Sequence, residues 1–171
     1  STYGGNSACV QIDTGGPEYL ICDLGSGARE FSLSALAKYG PGKPQTYHVL
    51  VSHVHWDHIM GFPFFVPAFI PGNRIRLYSC HPKLEQAIRA QNREPCFPVE
   101  FGALAASIEF VTLDPGKRYE IAGAAVTGMP APQRGRPPQA LPAPRARAKS
   151  GRLQPRGRPH VLRRAAGELL P

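Results

Sequence analysis

The chain has 171 residues, of which 42% are hydrophobic and 19% charged, with 18 Gly, 19 Pro and a formal net charge of +8. That length suits one ordinary domain with a core of useful size, and no apolar run reaches the roughly 18 residues that a membrane helix needs. The positive charge does not belong to the whole chain: residues 1–129 hold 10 Lys/Arg against 11 Asp/Glu, a net of −1, while residues 130–171 hold 10 Lys/Arg against Glu168 alone, a net of +9.

The opening residues, Ser1 to Asn6, carry neither a basic nor an apolar segment, so no signal peptide is expected at this end, and the absence of Met suggests a trimmed or partial chain. Ala8 to Asp13 has β character, Thr14-Gly15-Gly16-Pro17 is a turn cluster, and Tyr19 to Leu24 is a second strand, so residues 8–24 read as a hairpin. After Gly25-Ser26-Gly27, Ser32 or Ser34 is positioned to cap a short helix through Leu36-Ala37-Lys38. Tyr47 to Ser52 is a short apolar run of the kind buried inside a sheet. Arg74 to Ser79 alternates as a strand, and Pro82 to about Gln91 reads as a helix with Leu84, Ala87, Ile88 and Gln91 on one face. Ser107 to Leu113 is a further strand, and Tyr119–Ile121 with Ala124–Thr127 makes a closing pair.

At Pro130 the texture changes. The last 42 residues include 9 Pro, 9 Arg, 7 Ala and 4 Gly, and all 8 Phe, all 6 Tyr and the one Trp lie before them. Such a segment cannot bury enough apolar area to offset its ordering entropy. The expected organisation is therefore a folded unit over residues 1–129 and an Arg/Pro-rich tail over 130–171, disordered or weakly helical near 161–170. By charge alone the tail would bind polyanions in a salt-dependent way, although it has no aromatic side chain on which a base could stack.

Cys9, Cys22, Cys80 and Cys96 show no C-x-x-C pair. They read as buried, reduced thiols, which fits a cytoplasmic setting. The chemistry is concentrated in His53-Val54-His55-Trp56-Asp57-His58, one residue after the apolar strand's last hydrophobic positions. In an extended segment residues two apart point the same way, which lets His53 and His55 converge on one metal. A turn into helix at Asp57-His58 aims those two at a neighbouring point. Imidazole with carboxylate suits Zn, with Mn or Fe as alternatives. Two such ions about 3.5–4 Å apart would hold a bridging hydroxide near neutral pH. His48 reads as a core or surface residue, His81 as a helix-start residue, and His160 lies in the tail.

The pattern His53-x-His55-x-Asp57-His58 resembles the H-x-H-x-D-H motif of the metallo-β-lactamase-fold hydrolases. Ile21-Cys22-Asp23-Leu24-Gly25 is similar to that family's apolar strand ending in D-x-G. The Gly4-Gly5-Asn6-Ser7 opening and Trp56 with Gly61-Phe62-Pro63-Phe64-Phe65 look closest to the phosphodiesterase and tRNase Z-like branch. The resemblance covers residues 1 to about 128. It implies an α/β (α+β) architecture, the first half of an αββα sandwich. It also implies two divalent metal ions, one on His53 and His55 and one on Asp57 and His58, with Asp23 supporting the ligand loop and Phe62 to Phe69 forming an aromatic wall or core packing. The implied activity is hydrolysis of a phosphodiester, through attack of a bridging hydroxide, on a small-molecule or nucleotide substrate, with no membrane partner. Nucleic acid is a weaker candidate partner. Alternatives are another ester-like bond such as a lactone or thioester, and a non-catalytic fragment or polyanion binder acting through its tail.

The family's pattern also calls for a third His after the strand 124–128, a bridging Asp and a further His. Here that place reads Met129-Pro130-Ala131, no His follows until His160, and no Asp follows Asp114. The expected chain is thus incomplete and inactive as written. Arg, Pro, Ala and Gly have GC-rich codons, so a shifted reading frame accounts for both the tail and the missing ligands. Translation of the other two frames beyond the Gly128 codon is expected to give a His within a few residues and then an apolar strand ending in Asp; neither frame doing so would refute the shift.

Overall fold

The computed structural model describes residues 5–40 and 42–129, together with the backbone of residues 163–164. The strands are β1 (Val10–Ile12), β2 (Tyr19–Cys22), β3 (Thr46–Leu50), β4 (Arg74–Ser79), β5 (Ser107–Thr112), β6 (Arg118–Ile121), β7 (Ala124–Thr127) and β8 (Arg163–Arg164). The helices are α1 (Gly27–Tyr39), α2 (Trp56–Ile59) and α3 (Leu84–Gln91). A six-stranded sheet has the order β5-β4-β3-β2-β1-β8, and β6 pairs with β7 separately. β1 and β2 form the expected antiparallel hairpin, whereas β2, β3, β4 and β5 run parallel to one another. This is the mixed α/β arrangement expected of part of an αββα sandwich. No helix among the described residues is long and apolar enough to cross a membrane.

Parallel strands covered on both faces read as continuous apolar runs, and the register shows how each run is divided. Tyr19 lies opposite Tyr47, which lies opposite Ile75, and Ile21, Val49 and Leu77 form the next row. These six side chains share one face with Ala28, Phe31 and Ala35 of α1 and Ile88 of α3. Tyr19 stacks on Tyr47 with ring centroids 5.1 Å apart, and Phe65 meets Tyr47 edge-on at 5.5 Å. The alternate residues point the other way. Leu20, Tyr78, Leu113 and Ile121 are buried there, joined by Tyr119, Ala124 and Val126 of the β6–β7 pair.

Several boundaries differ from the sequence expectation: β1 is confined to Val10–Ile12, β3 runs Thr46–Leu50, α3 starts at Leu84, and three further differences have a local cause. α1 starts at Gly27 rather than near Ser34, because Ser26 occupies the N-cap position. The Ser26 hydroxyl accepts from Ser7 N at 2.8 Å instead of capping the helix. Ser32 lies inside the helix, where its hydroxyl donates back to the Ala28 carbonyl at 2.6 Å. β2 stops at Cys22 because Asp23 takes φ 61° and leaves the strand. Arg163–Arg164 are extended and pair antiparallel with β1, not helical; the rest of the expected tail lies outside the described residues. The four cysteines are free, as expected, but only Cys9 is buried and Cys96 is exposed. Burial, then the charge of Asp23 and Cys22, pushes the Cys9 thiol up to about 12, so it acts as a small apolar group.

The segment 62–69 tests the packing directly. Phe65 is fully buried and Phe64 is 55% exposed. Phe65→Ala is expected to lower the unfolding free energy by about 3–5 kcal/mol, and Phe64→Ala by about 1 kcal/mol or less. Urea unfolding midpoints of the two variants check this; equal losses would contradict the assignment of Phe65 to the core.

Candidate functional site

The motif loop begins where β3 leaves the sheet. Leu50 lies opposite Cys22 on β2, so the residues that follow those two parallel strands emerge side by side at the C-terminal end of the sheet's central strands. On β2 that residue is Asp23, whose left-handed backbone is one that Asp adopts more readily than most side chains. Its carboxylate is buried and fully used. Oδ1 accepts from Ser52 N at 2.8 Å, and Oδ2 accepts from the Ser52 hydroxyl at 2.9 Å and from His58 Nδ1 at 2.8 Å.

This arrangement fixes where the ring protons sit. A carboxylate can only accept, so His58 donates from Nδ1; in the neutral ring Nε2 is then the unprotonated nitrogen, and it faces Asp57 Oδ2 at 3.3 Å. Ser52 gives its single proton to Asp23, so at 3.0 Å it can only accept from His53 Nδ1. His53 is thereby held in the same tautomer. Burial, and then the neighbouring His58 and His55, lower the His53 pKa against the opposing pull of Asp23 and Asp57, which favours the neutral ring. Ser52 was not singled out from the sequence; the available signal was a hydroxyl immediately before the first motif His.

His53, Val54 and His55 precede α2, which opens at Trp56 and carries Asp57 and His58. The His53 ring lies 4.6 Å from that of His55 and 3.9 Å from that of His58, centroid to centroid. Asp57 Oδ2 is 3.3 Å from His58 Nε2. The three imidazoles are thus packed together beyond the C-terminal end of β3, with Asp57 beside the last. Among the described residues, no three or more His, Cys, Asp or Glu converge so as to hold one ion in common.

Two glycines permit this geometry. Leu24 N donates to the His58 carbonyl and Gly61 N to the Leu24 carbonyl, both at 2.8 Å, which laces the end of α2 to the turn after β2. A Cβ on Gly25 would sit 2.5 Å from the Asp57 carbonyl oxygen, and one on Gly61 would overlap the carbonyl of Gly25. Any side chain at either place would push the motif helix off Asp23.

The other histidines are placed elsewhere. His48 is buried, with Nδ1 2.8 Å from the Tyr78 hydroxyl and Nε2 3.1 Å from Glu18. His81 Nδ1 accepts from Lys83 N at 3.2 Å in the turn before α3. His160 lies outside the described residues. β7 returns the chain to the same end of the sheet, since Gly128 is packed directly against Cys80, which follows β4. The exposed residue there is Met129, not a histidine. The anticipated aromatic wall is largely core: Phe62 and Phe65 are fully buried, and Phe64 faces solvent against Phe97.

Asp23→Ala removes the acceptor from Ser52 and His58 and places Ala in a left-handed backbone, a loss of about 2–4 kcal/mol. Asp23→Asn keeps an acceptor for Ser52 N and tolerates that backbone, and is expected to lose about half as much. Thermal or urea unfolding of both variants gives the ranking; an Asp23→Ala chain as stable as the parent would show that the carboxylate organises nothing.

The comparisons with known proteins follow the same residues. The Beta-lactamase superfamily domain family matches residues 22–154, from the last residue of β2 to beyond Met129. The chain is 29% identical over 122 residues to a Ribonuclease Z of Haloarcula marismortui, an alignment that takes in 68% of this chain and 36% of that protein. The chain therefore spans about a third of the length of this curated relative. No solved structure matches it. A match over more than three quarters of the chain, with Asp23 and the entire histidine loop inside it, makes the protein a member of the beta-lactamase superfamily domain family.

Proposed function

We propose that this chain carries part of a metal-dependent hydrolase centre directed at phosphodiester bonds. His53 and His55 would hold one divalent ion, and Asp57 and His58 a second. The observation that supports this most strongly is the Asp23–Ser52 network, whose contacts to Nδ1 of His53 and His58 would, in neutral rings, leave both Nε2 atoms free for a metal. A bare imidazole nitrogen is what a metal needs, and a carboxylate behind the ring strengthens it as a donor. The donor set of imidazoles with one carboxylate fits zinc, with Mn or Fe as alternatives. Bound ions would supply Lewis acidity for the phosphate oxygens and activate water for attack.

The chain's own residues do the positioning. Asp23 fixes the His58 ring and its proton, and Ser52 carries the same constraint across to His53. Gly25 and Gly61 let α2 come close enough for both. The family match supports a metallo-hydrolase, and the likeness to a Ribonuclease Z supports a phosphodiester in a nucleotide or nucleic acid as its substrate. Among the described residues each ion has two donors, and the exit of β7 offers Gly128 and Met129 in place of a third His. On this reading the chain alone holds metal weakly and is inactive.

Metal analysis of the purified chain, beside hydrolysis of bis(p-nitrophenyl) phosphate with added Zn, Mn or Fe, tests both halves of the proposal. The expected result is weakly held metal, removed by a chelator, with no turnover above background. His58→Ala is expected to lower zinc affinity at least tenfold. Two tightly held equivalents with turnover would refute the inactivity, and zinc binding indifferent to His53→Ala and His58→Ala would refute the metal centre.

A further inference from the structure

Trp56 is the only tryptophan in the chain, and it stands between His55 and Asp57 as the first residue of α2. It is 59% exposed. His55 and Asp57 on either side of it are exposed as well. An indole normally contributes through the large apolar area it buries, and α2 is anchored without it by the buried Ile59. Among the described residues the exposed large hydrophobics are Leu33, Trp56, Phe64 and Met129. The two aromatic ones both belong to the motif helix and the 3-10 turn Phe62–Phe64 just after it.

We propose that Trp56 is a stacking platform for a nucleobase next to the phosphodiester that the histidine loop receives. This deepens the phosphodiester reading given above and names its substrate class as single-stranded nucleic acid. Every base has a flat π-face, so an exposed indole accepts any of them, and stacking of this kind is worth about 1–3 kcal/mol per base. That converts to roughly a 5- to 150-fold change in Kd. The basic segment 130–171 would add affinity for the phosphate backbone through charge, but it contains no aromatic residue. Base recognition and backbone attraction are thereby carried by different parts of the chain.

The single tryptophan is its own reporter. The full chain, without added metal, is titrated at physiological salt with a short single-stranded oligoribonucleotide and with an abasic ribose-phosphate oligomer of equal length. The base-bearing strand is expected to quench Trp56 fluorescence saturably, and the abasic strand to leave it unchanged even where polarisation of a labelled strand shows binding. Trp56→Ala is expected to weaken RNA binding roughly 5- to 150-fold with no effect on the abasic strand, and Trp56→Phe to retain most of the affinity. Equal quenching by both strands, quenching by neither, or unchanged RNA affinity in Trp56→Ala would overturn the proposal. So would a blue-shifted emission that grows with protein concentration, which would assign the surface to a second copy of the chain. No turnover enters the measurement, so base-dependent quenching in a chain whose zinc binding is indifferent to His53→Ala and His58→Ala would uphold the platform and count against the metal centre, and zinc binding lost in those variants without base-dependent quenching would do the reverse.

Discussion

A buried carboxylate at the end of β2 carries more of this structure than any other single group. Asp23 receives three hydrogen bonds, two from Ser52 at the start of the loop that follows β3 and one from His58 in α2. A buried charge left unpaired would be strongly destabilising, so the loop is drawn onto it. The same bonds that satisfy the carboxylate also set the tautomers of His58 and, through Ser52, of His53. Structure and chemistry are thus settled by one interaction. The left-handed turn at Asp23 is part of the same device, since it ends β2 and leaves the carboxylate at the C-terminal end of that strand.

The parallel sheet makes that interaction possible. With β2 and β3 in register, Asp23 and Ser52 emerge as neighbours, and the aromatic core of Tyr19, Tyr47, Phe31 and Phe65 fixes the strands and α1 behind them. The close approach at Gly25 and Gly61 then sets the depth of α2. A rigid sheet supports a loop that is open to solvent, with Asp57 65% exposed on its side chain and Trp56 beside it. Openness on one side and a hydrogen-bonded anchor on the other is what a site needs if it is to receive both an ion and a substrate.

Much of this was legible in the residues. The short apolar run at 47–52 marked the central strand, because a strand buried on both faces has little polar to interrupt it, and the alternation of Arg74 to Ser79 marked β4, whose Arg74 and Arg76 are exposed. The hairpin at 8–24 was marked by its turn cluster. Two things were not legible. The start of α1 was hidden because Gly25-Ser26-Gly27 looks like an ordinary loop, and only the packing of Gly25 against Asp57 shows why it is there. Ser52 was overlooked for a similar reason: its role depends on Asp23, twenty-nine positions away, and only the strand pairing brings them together. The aromatic run 62–69 shows the opposite limit, since pattern alone could not separate the buried Phe65 from the exposed Phe64.

The central claim is that Asp23 and Ser52 hold His53 and His58 with Nε2 bare and available to a metal. Long-range proton–nitrogen NMR of the histidine rings reads this directly. The expected spectrum shows Nδ1–H tautomers for His53 and His58, with their Nε2 resonances shifting on zinc addition, while His48, whose ring nitrogens face Tyr78 and Glu18, stays unchanged. An Nε2–H tautomer at His58, or zinc shifts that leave His53 and His58 untouched, would contradict it.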